Sequence, residues 1–421
     1  MNPTTTMPTT YPAVDEPATS PTMPVSPTAP HPGDAPTSDP TLVPADPTEL
    51  PTTDEPLTIP APDGGPSPSL TASDLAHGLI TPLEPELAAE LAEVAQADAA
   101  TIEPKRIVIA HELGYCWGVR RALDIIEEAA EKDGPVAPVG DIIHNPQVVA
   151  RLRVKGVEGA ATIDEAAAKG FGRVAITAHG MGPHLAEQAA ARSLELIDTT
   201  CPLVTKVQRL AQKLVRQGYY IVVYGDAYHP EVKSVLGWAN TTKSVAAKKI
   251  EDLPWNARRG EVGEGKVSPP RKVAVVSQTT KNVDELLKFA NTLQLMVIPE
   301  GGEFRLCNTI CEPTSERQNA LKRLVQADRV DAIFAIGGMK SSNTARLAEV
   351  GNTMGVSSYH IEKALDIQDD WLQSARVVGI TAGASTPDDV IQDVVDYLAA
   401  KGYQPPAGGL RNVDPEYVPA Y

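Results

Sequence analysis

The sequence is poor in the residues that would place it in several common classes. Cysteine occurs four times in 421 residues, too few and too scattered for a disulfide scaffold, which crowds its bridges into a short secreted chain. No apolar run approaches the ~20 residues needed to span a bilayer, so no membrane partner is expected. No basic segment followed by an apolar one opens the chain, so no secretory signal is expected and a reducing, cytoplasmic setting is the default. Residues 1–104 hold sixteen Asp and Glu but no Lys or Arg, and this stretch supplies nearly all of the net charge of −17. From Lys105 on the chain is within one charge of neutral. With no basic field to neutralise phosphates, nucleic acid is not an expected partner. Two motifs are also missing. No GxxxxGK[ST] loop is present, which disfavours a nucleoside triphosphatase, and Gly337-Gly338 is not part of a GxGxxG, which disfavours a dinucleotide fold.

The organisation changes sharply along the chain. Residues 1–72 repeat Pro and Thr in short polar units such as PTTTMPTTYP and SPTMPVSPTAP. They cannot bury enough apolar surface to offset the entropy of ordering, so 1–104 is expected to be a disordered, partly polyproline tail, with a short acidic helix over 83–100. Strands and helices then alternate. RIVIA, RVAIT, LELI, YYIVVY, KVAVV, DAIFAI and VVGI (from 106, 173, 194, 219, 272, 331 and 377) read as strands, and the segments between them carry helical spacing. The expected fold is α/β, with three similar domains of mostly parallel sheet over 105–200, 201–305 and 306–400 and a C-terminal extension over 401–421. The Gly- and Pro-rich stretch 255–272 reads as a surface loop.

Three cysteines sit where a strand gives way to a helix: Cys116 in GYCWGV, Cys201 in DTTCPLVTK and Cys311 in NTICEPTSERQ. They are too far apart in sequence for a local CxxC clamp. Brought together, three thiols would hold a metal cluster and leave one metal position open. Structural zinc usually takes four ligands in paired short spacings; here only Cys307 and Cys311 are close. A single buried cysteine without a ligand is commonplace, but three idle ones at equivalent turns are not. Cys307 reads as structural, with Cys311 the one ligand position it competes for.

Short polar clusters follow several strands: Ile143-His144-Asn145-Pro146, Ala178-His179-Gly180, His229-Pro230-Glu231, Gln278-Thr279-Thr280, Ser341-Ser342-Asn343 and Ala384-Ser385. Taken singly, a loop histidine is usually a surface or structural residue, and a Ser or Asn there is usually a helix cap. Taken together, they form a set of neutral donors suited to a diphosphate at helix N-termini.

GYCWGV, IIHNP, TAHG, DTTCPLVTKV, YHPEV, VSQTT, ICEPTSERQ, IGGMKSSNT and GITAGASTP resemble, in order over about 105–398, the 4-hydroxy-3-methylbut-2-enyl diphosphate reductases, the LytB family. The CWGV and TICxxTxxRQ wording is more similar to its cyanobacterial and plastid branch than to its enterobacterial one. The resemblance implies three α/β domains around a central [4Fe–4S] iron–sulfur cluster on Cys116, Cys201 and Cys311, with the fourth iron left for the substrate hydroxyl. It further implies a diphosphate pocket of His144, His179, Ser341, Ser342, Asn343 and Ser385, lined also by His229. Glu231 would deliver protons, Thr279 would be its hydrogen-bonded helper, and Thr314 matches a further pocket position. The implied reaction is reductive dehydroxylation of the allylic diphosphate to isopentenyl and dimethylallyl diphosphate in the non-mevalonate pathway. An outside one-electron donor, ferredoxin or flavodoxin, is also implied. Tyr115 stands where a Phe is usual, and Asp226-Ala227-Tyr228 precedes the HPE motif; neither removes a reactive group. Two rivals remain at this level: a quinolinate-synthase-like dehydratase acting on a carboxylate, and a non-catalytic iron–sulfur or zinc scaffold.

Overall fold

A computed structural model describes residues 104–239, 242–406 and 409–410. The tail expected over 1–104, the helix at 83–100 and most of the 401–421 extension lie outside these residues.

Strands with the most continuous apolar sequence are buried along their whole length: β7 (Lys272–Ser277), β9 (Ala332–Ile336) and β11 (Val377–Ala382), with only the first residue of β7 partly exposed. This is the pattern of parallel sheet covered by helices on both faces. The remaining strands are β1 (Arg106–Ile109), β2 (Ala137–Pro138), β3 (Arg173–Ile176), β4 (Glu195–Asp198), β5 (Tyr220–Tyr224), β6 (Ser244–Ala247), β8 (Glu303–Leu306) and β10 (Ser357–Ile361). They form three separate sheets, ordered β2-β3-β4, β6-β5-β7-β8 and β1-β11-β9-β10, and each pairing is parallel. The molecule is thus three α/β lobes. The edge strands β2, β6, β8 and β10 have no counterpart in the sequence reading. They are short or polar, and pairing with a buried neighbour supplies what their own sequence does not.

One assignment is corrected. β1, expected to open the domain at 105–200, pairs instead with β11, from Arg106 opposite Val377 to Ile109 opposite Ile380. Ile107 is buried among Val378, Ile380, Val394 and Tyr403 of the last lobe. Ile107 N–H donates to Gln404 O at 2.9 Å and Gln404 N–H to Lys105 O at 2.8 Å. An apolar edge strand takes the sheet that can bury it, and local sequence does not say which sheet that is. The described part of the chain therefore starts in the last lobe and crosses to the first through the segment that carries Cys116.

The described helices are α1 (Trp117–Asp133), α2 (Pro146–Val154), α3 (Ile163–Ala168), α4 (Pro183–Ala191), α5 (Pro202–Arg216), α6 (Pro230–Ala239), α7 (Val283–Val297), α8 (Glu312–Asp328), α9 (Ser342–Thr353) and α10 (Asp388–Ala400). None of them is long and apolar enough to cross a membrane. Up to Arg271 the 255–272 stretch carries no helix or strand, but its Trp255 is buried, edge-on to Tyr220. The lobes are locked by specific contacts. Trp238 Nε1 of the middle lobe donates to Met181 O of the first at 2.9 Å; within the last lobe Arg317 Nη2 donates to Gly114 O at 2.8 Å, holding the segment that leads to Cys116. A Cβ on Gly338 would lie 2.3 Å from His144 O. The missing side chain there lets the turn after β9 press on the backbone that carries His144.

Candidate active site

Each of the three widely spaced cysteines is the N-cap of a helix: Cys116 of α1, Cys201 of α5 and Cys311 of α8. None of the three side chains caps its own helix, so the thiols are free to point elsewhere. All three line a single cavity. Their amides are anchored in one way three times over. Cys116 N–H donates to Ala384 O at 3.1 Å, Cys201 N–H to Ala178 O at 3.0 Å, and Cys311 N–H to Thr279 O at 2.9 Å. Those carbonyls belong to AGAS, TAHG and QTT, three of the polar clusters singled out above, so the thiol positions and the polar wall are built as one frame.

Burial pushes the Cys201 thiol up to about 11 and the Cys311 thiol up to about 12, with the neighbouring cysteines adding to it. Helix N-termini favour thiolates, yet here desolvation outweighs them. Cys201 and Cys311 become thiolates only with a compensating cation, and a metal cluster supplies one. The space between them is kept open by Gly118 in the first turn of α1. A Cβ there would lie 2.6 Å from Cys201 Sγ and 4.0 Å from Cys116 Sγ. A soft three-thiol set with a cleared centre fits an iron–sulfur cluster. Cys307 lies outside the cavity. Its N–H bonds Val275 O at 2.9 Å and its side chain packs on the core of the middle lobe.

Glu231, in the first turn of α6, is 2 % exposed. Thr279 N–H donates to its Oε1 at 2.6 Å and Thr279 Oγ1 donates to Oε2 at 2.8 Å. Burial raises the Glu231 pKa to about 7, against the lowering effect of both Thr279 hydrogen bonds. Desolvation wins because the carboxyl is enclosed on all sides, a displacement worth on the order of 3 kcal/mol in favour of the protonated form.

His144, His179 and His229 converge. The first two rings stack at 4.1 Å, and His229 stands edge-on to them at 5.2 and 5.4 Å. Desolvation lowers all three, His179 well below the ordinary value and His229 to about 3. They are neutral imidazoles, each with one N–H to give. Glu231 N–H donates to His229 Nδ1 at 3.2 Å, which leaves the His229 proton on Nε2. Beside them, α9 presents its N-terminus. Ser341 caps it through Thr344 N–H at 3.3 Å, and Ser342 and Asn343 form its first turn. Both amide atoms of Asn343 and Nδ1 of His144 are buried with no protein partner. Buried polar atoms are rarely orphaned. Neutral donors at a helix N-terminus fit an anionic ligand such as a diphosphate.

Cys116, Cys201, Cys311, His144, His179, His229, Glu231, Thr279, Thr314, Ser341, Ser342, Asn343 and Ser385 all line this one cavity of about 870 Å³ including its open mouth. Thr314 sits 3.1 Å from Cys311 Sγ, and Ser385 Oγ donates to His144 O at 3.5 Å. The sequence reading did not single out Gly118, the apolar floor of Leu203 and Val204, or Arg317. Gly118 had a signal: a glycine in the first turn of a helix, where no turn calls for one.

Residues 107–399 match the family described as LytB protein. The chain is 39% identical over 292 residues to the 4-hydroxy-3-methylbut-2-enyl diphosphate reductase of Geobacter sulfurreducens, covering 69% of this chain and 96% of that protein. It is 36% identical over 296 residues to the protein of the same name from Dehalococcoides mccartyi strain CBDB1, covering 70% and 97%. The solved E-1-hydroxy-2-methyl-but-2-enyl-4-diphosphate reductase of Plasmodium falciparum superposes with a TM-score of 0.61 at 25% identity, over 75% of this chain and 96% of that one. By sequence and by fold, the chain belongs to the LytB family.

Proposed function

We propose that this chain is an oxidoreductase that removes the hydroxyl of (E)-4-hydroxy-3-methylbut-2-enyl diphosphate. Substrate, two electrons and two protons give water and either isopentenyl or dimethylallyl diphosphate. The observation that carries this reading is Glu231, a buried carboxyl still protonated near neutrality, in one cavity with three thiols and a neutral anion-binding wall.

On this reading Cys116, Cys201 and Cys311 hold a [4Fe–4S] cluster, which when bound supplies single electrons and a Lewis-acidic iron. His144, His179, His229, Ser341, Ser342, Asn343 and Ser385 bind the diphosphate. Their fixed backbones orient the allylic end toward the thiols, so the protein contributes mainly position. Thr279 holds the Glu231 carboxyl in place, and Glu231 gives a proton to the departing oxygen so that it leaves as water. The second proton ends on one or other terminus of the allyl group. Leu203, Val204 and Pro313 line the cavity with apolar surface, which limits water around the reacting carbons. The electrons come from an outside carrier of the ferredoxin or flavodoxin kind, in the cytoplasm.

Anaerobic purification, then assay with the hydroxylated diphosphate and a low-potential donor, tests this. Turnover to five-carbon diphosphates with about four irons per chain is expected, the count of a [4Fe–4S] cube. One observation favours a second reading: ligand atoms of the three imidazoles all lie within 4.8 Å of one another, a set that suits a catalytic zinc. A preparation holding about one zinc, little iron and no reductase activity would favour that reading instead.

A further inference from the structure

Lys281, near the cavity, is largely buried and has no ion-pair partner among the described residues. Lys281 is 8% exposed. The two carboxylates that share its cleft are already engaged: Asp226 with Lys248 at 2.6 Å and Glu349 with Arg346 at 2.7 Å. Among the described residues this leaves Lys281 without an ion-pair partner.

Its position is fixed by the backbone. Lys281 N–H donates to Gln278 O at 3.3 Å, and its carbonyl accepts from Gln318 Nε2 at 3.2 Å. The next residue, Asn282, caps α7 through Glu285 N–H at 3.1 Å and donates to Gln318 Oε1 at 2.8 Å. The side chain lines a cleft between the middle and last lobes, together with His229, Lys340, Ser341, Ser342 and Arg346. His229, Ser341 and Ser342 also line the main cavity, so the cleft adjoins it. Lys340, on the last lobe, is exposed and next to Ser341. Burial first, then Arg346 and Lys248, pull the Lys281 ammonium below the usual lysine value. A largely desolvated ammonium with no ion-pair partner is disfavoured, and an arriving anion removes that penalty.

We infer that Lys281, assisted by Lys340, is a positioning residue that receives the outer phosphate of the substrate at the cavity mouth and holds it as the imidazoles and the α9 N-terminus engage the rest. This rests on the diphosphate reading of the cavity. Neither lysine is among the site residues that the family resemblance implies. The partly buried station holds charge where screening is weak, whereas exposed Lys340 acts mainly at a distance.

The test uses the full-length holoenzyme under anaerobic conditions, with inorganic diphosphate as the calorimetric probe at low and high ionic strength. Lys281→Met is expected to weaken diphosphate binding about tenfold at low salt, as loss of a partly desolvated charge-assisted contact does. It should raise KM for the allylic diphosphate more than it lowers kcat. Lys281→Arg should restore most of both, and Lys340→Gln should give a smaller effect that salt removes. Lys281→Met binding inorganic diphosphate as tightly as wild type overturns the inference, as does failure of Lys281→Arg to restore the affinity. Wild-type protein with no affinity for inorganic diphosphate overturns the diphosphate reading itself, an outcome separate from either of these.

Discussion

Thr279 grips both oxygens of the Glu231 carboxyl, one through its amide at 2.6 Å and the other through its hydroxyl at 2.8 Å. The same Thr279 accepts the amide of Cys311 through its carbonyl. One residue thus fixes the proposed proton donor relative to a proposed cluster ligand, although the two are far apart in the chain.

Glu231 is protonated below about 7 and ionised above it, because burial favours the neutral carboxyl. The donor form is therefore lost as pH rises through that value, and kcat should fall with it, tenfold for each further pH step in the limiting case. Glu231→Gln keeps nearly the same shape but has no acidic proton. It should bind substrate and retain the visible absorbance of the cluster while losing about two orders of magnitude or more in kcat. Near-wild-type turnover in that variant would remove Glu231 from its role.

Thr279→Val keeps the amide bond and deletes only the hydroxyl. The remaining hydroxyl-dependent lowering of Glu231 disappears, so the alkaline limb of the pH–rate profile should move upward. The kcat at neutral pH should drop through loss of carboxyl orientation, by about tenfold for one buried hydrogen bond to a charged partner. An unchanged profile would show that the hydroxyl neither tunes nor orients the carboxyl.

The neutral imidazoles predict proton uptake. His144, His179 and His229 are depressed by desolvation in the free protein, and a bound diphosphate favours their charged forms. Binding should therefore take up protons at pH 7 and tighten as pH falls. Calorimetry in buffers of different ionisation enthalpy reads this directly, and buffer-independent heats would contradict it.

Gly118→Ala should damage the thiol site without unfolding the lobe. The added methyl group meets Cys201 Sγ at 2.6 Å, while Ala is a better helix former than Gly by roughly 1 kcal/mol. Iron content and visible absorbance should fall with helical circular dichroism intact. Cys116→Ala, Cys201→Ala and Cys311→Ala should each abolish the absorbance. Cys307→Ala should keep it, because Cys307 packs on the middle-lobe core instead; a colourless Cys307 variant would overturn the ligand assignment.

The sequence by itself determined a good deal here. Alternating β and α periodicity fixed the class, since a strand buried on both faces such as Ala332–Ile336 has few other uses. The residue types at strand-to-helix turns marked out the three thiols, the imidazoles and Ser341-Ser342-Asn343, because chemistry in α/β folds gathers at those ends. What the tertiary structure decided were the properties that depend on neighbours far along the chain. β1 went to the last lobe because that sheet buries Ile107. Glu231 rose to about 7 because the fold buried it, and desolvation is a sum over everything nearby. Gly118 and Lys281 gained meaning only once packing brought Cys201 to the first and buried the second with no ion-pair partner among the described residues. Residue type is local, but burial and charge balance are not, and that difference separates what could be read from the chain from what required its fold.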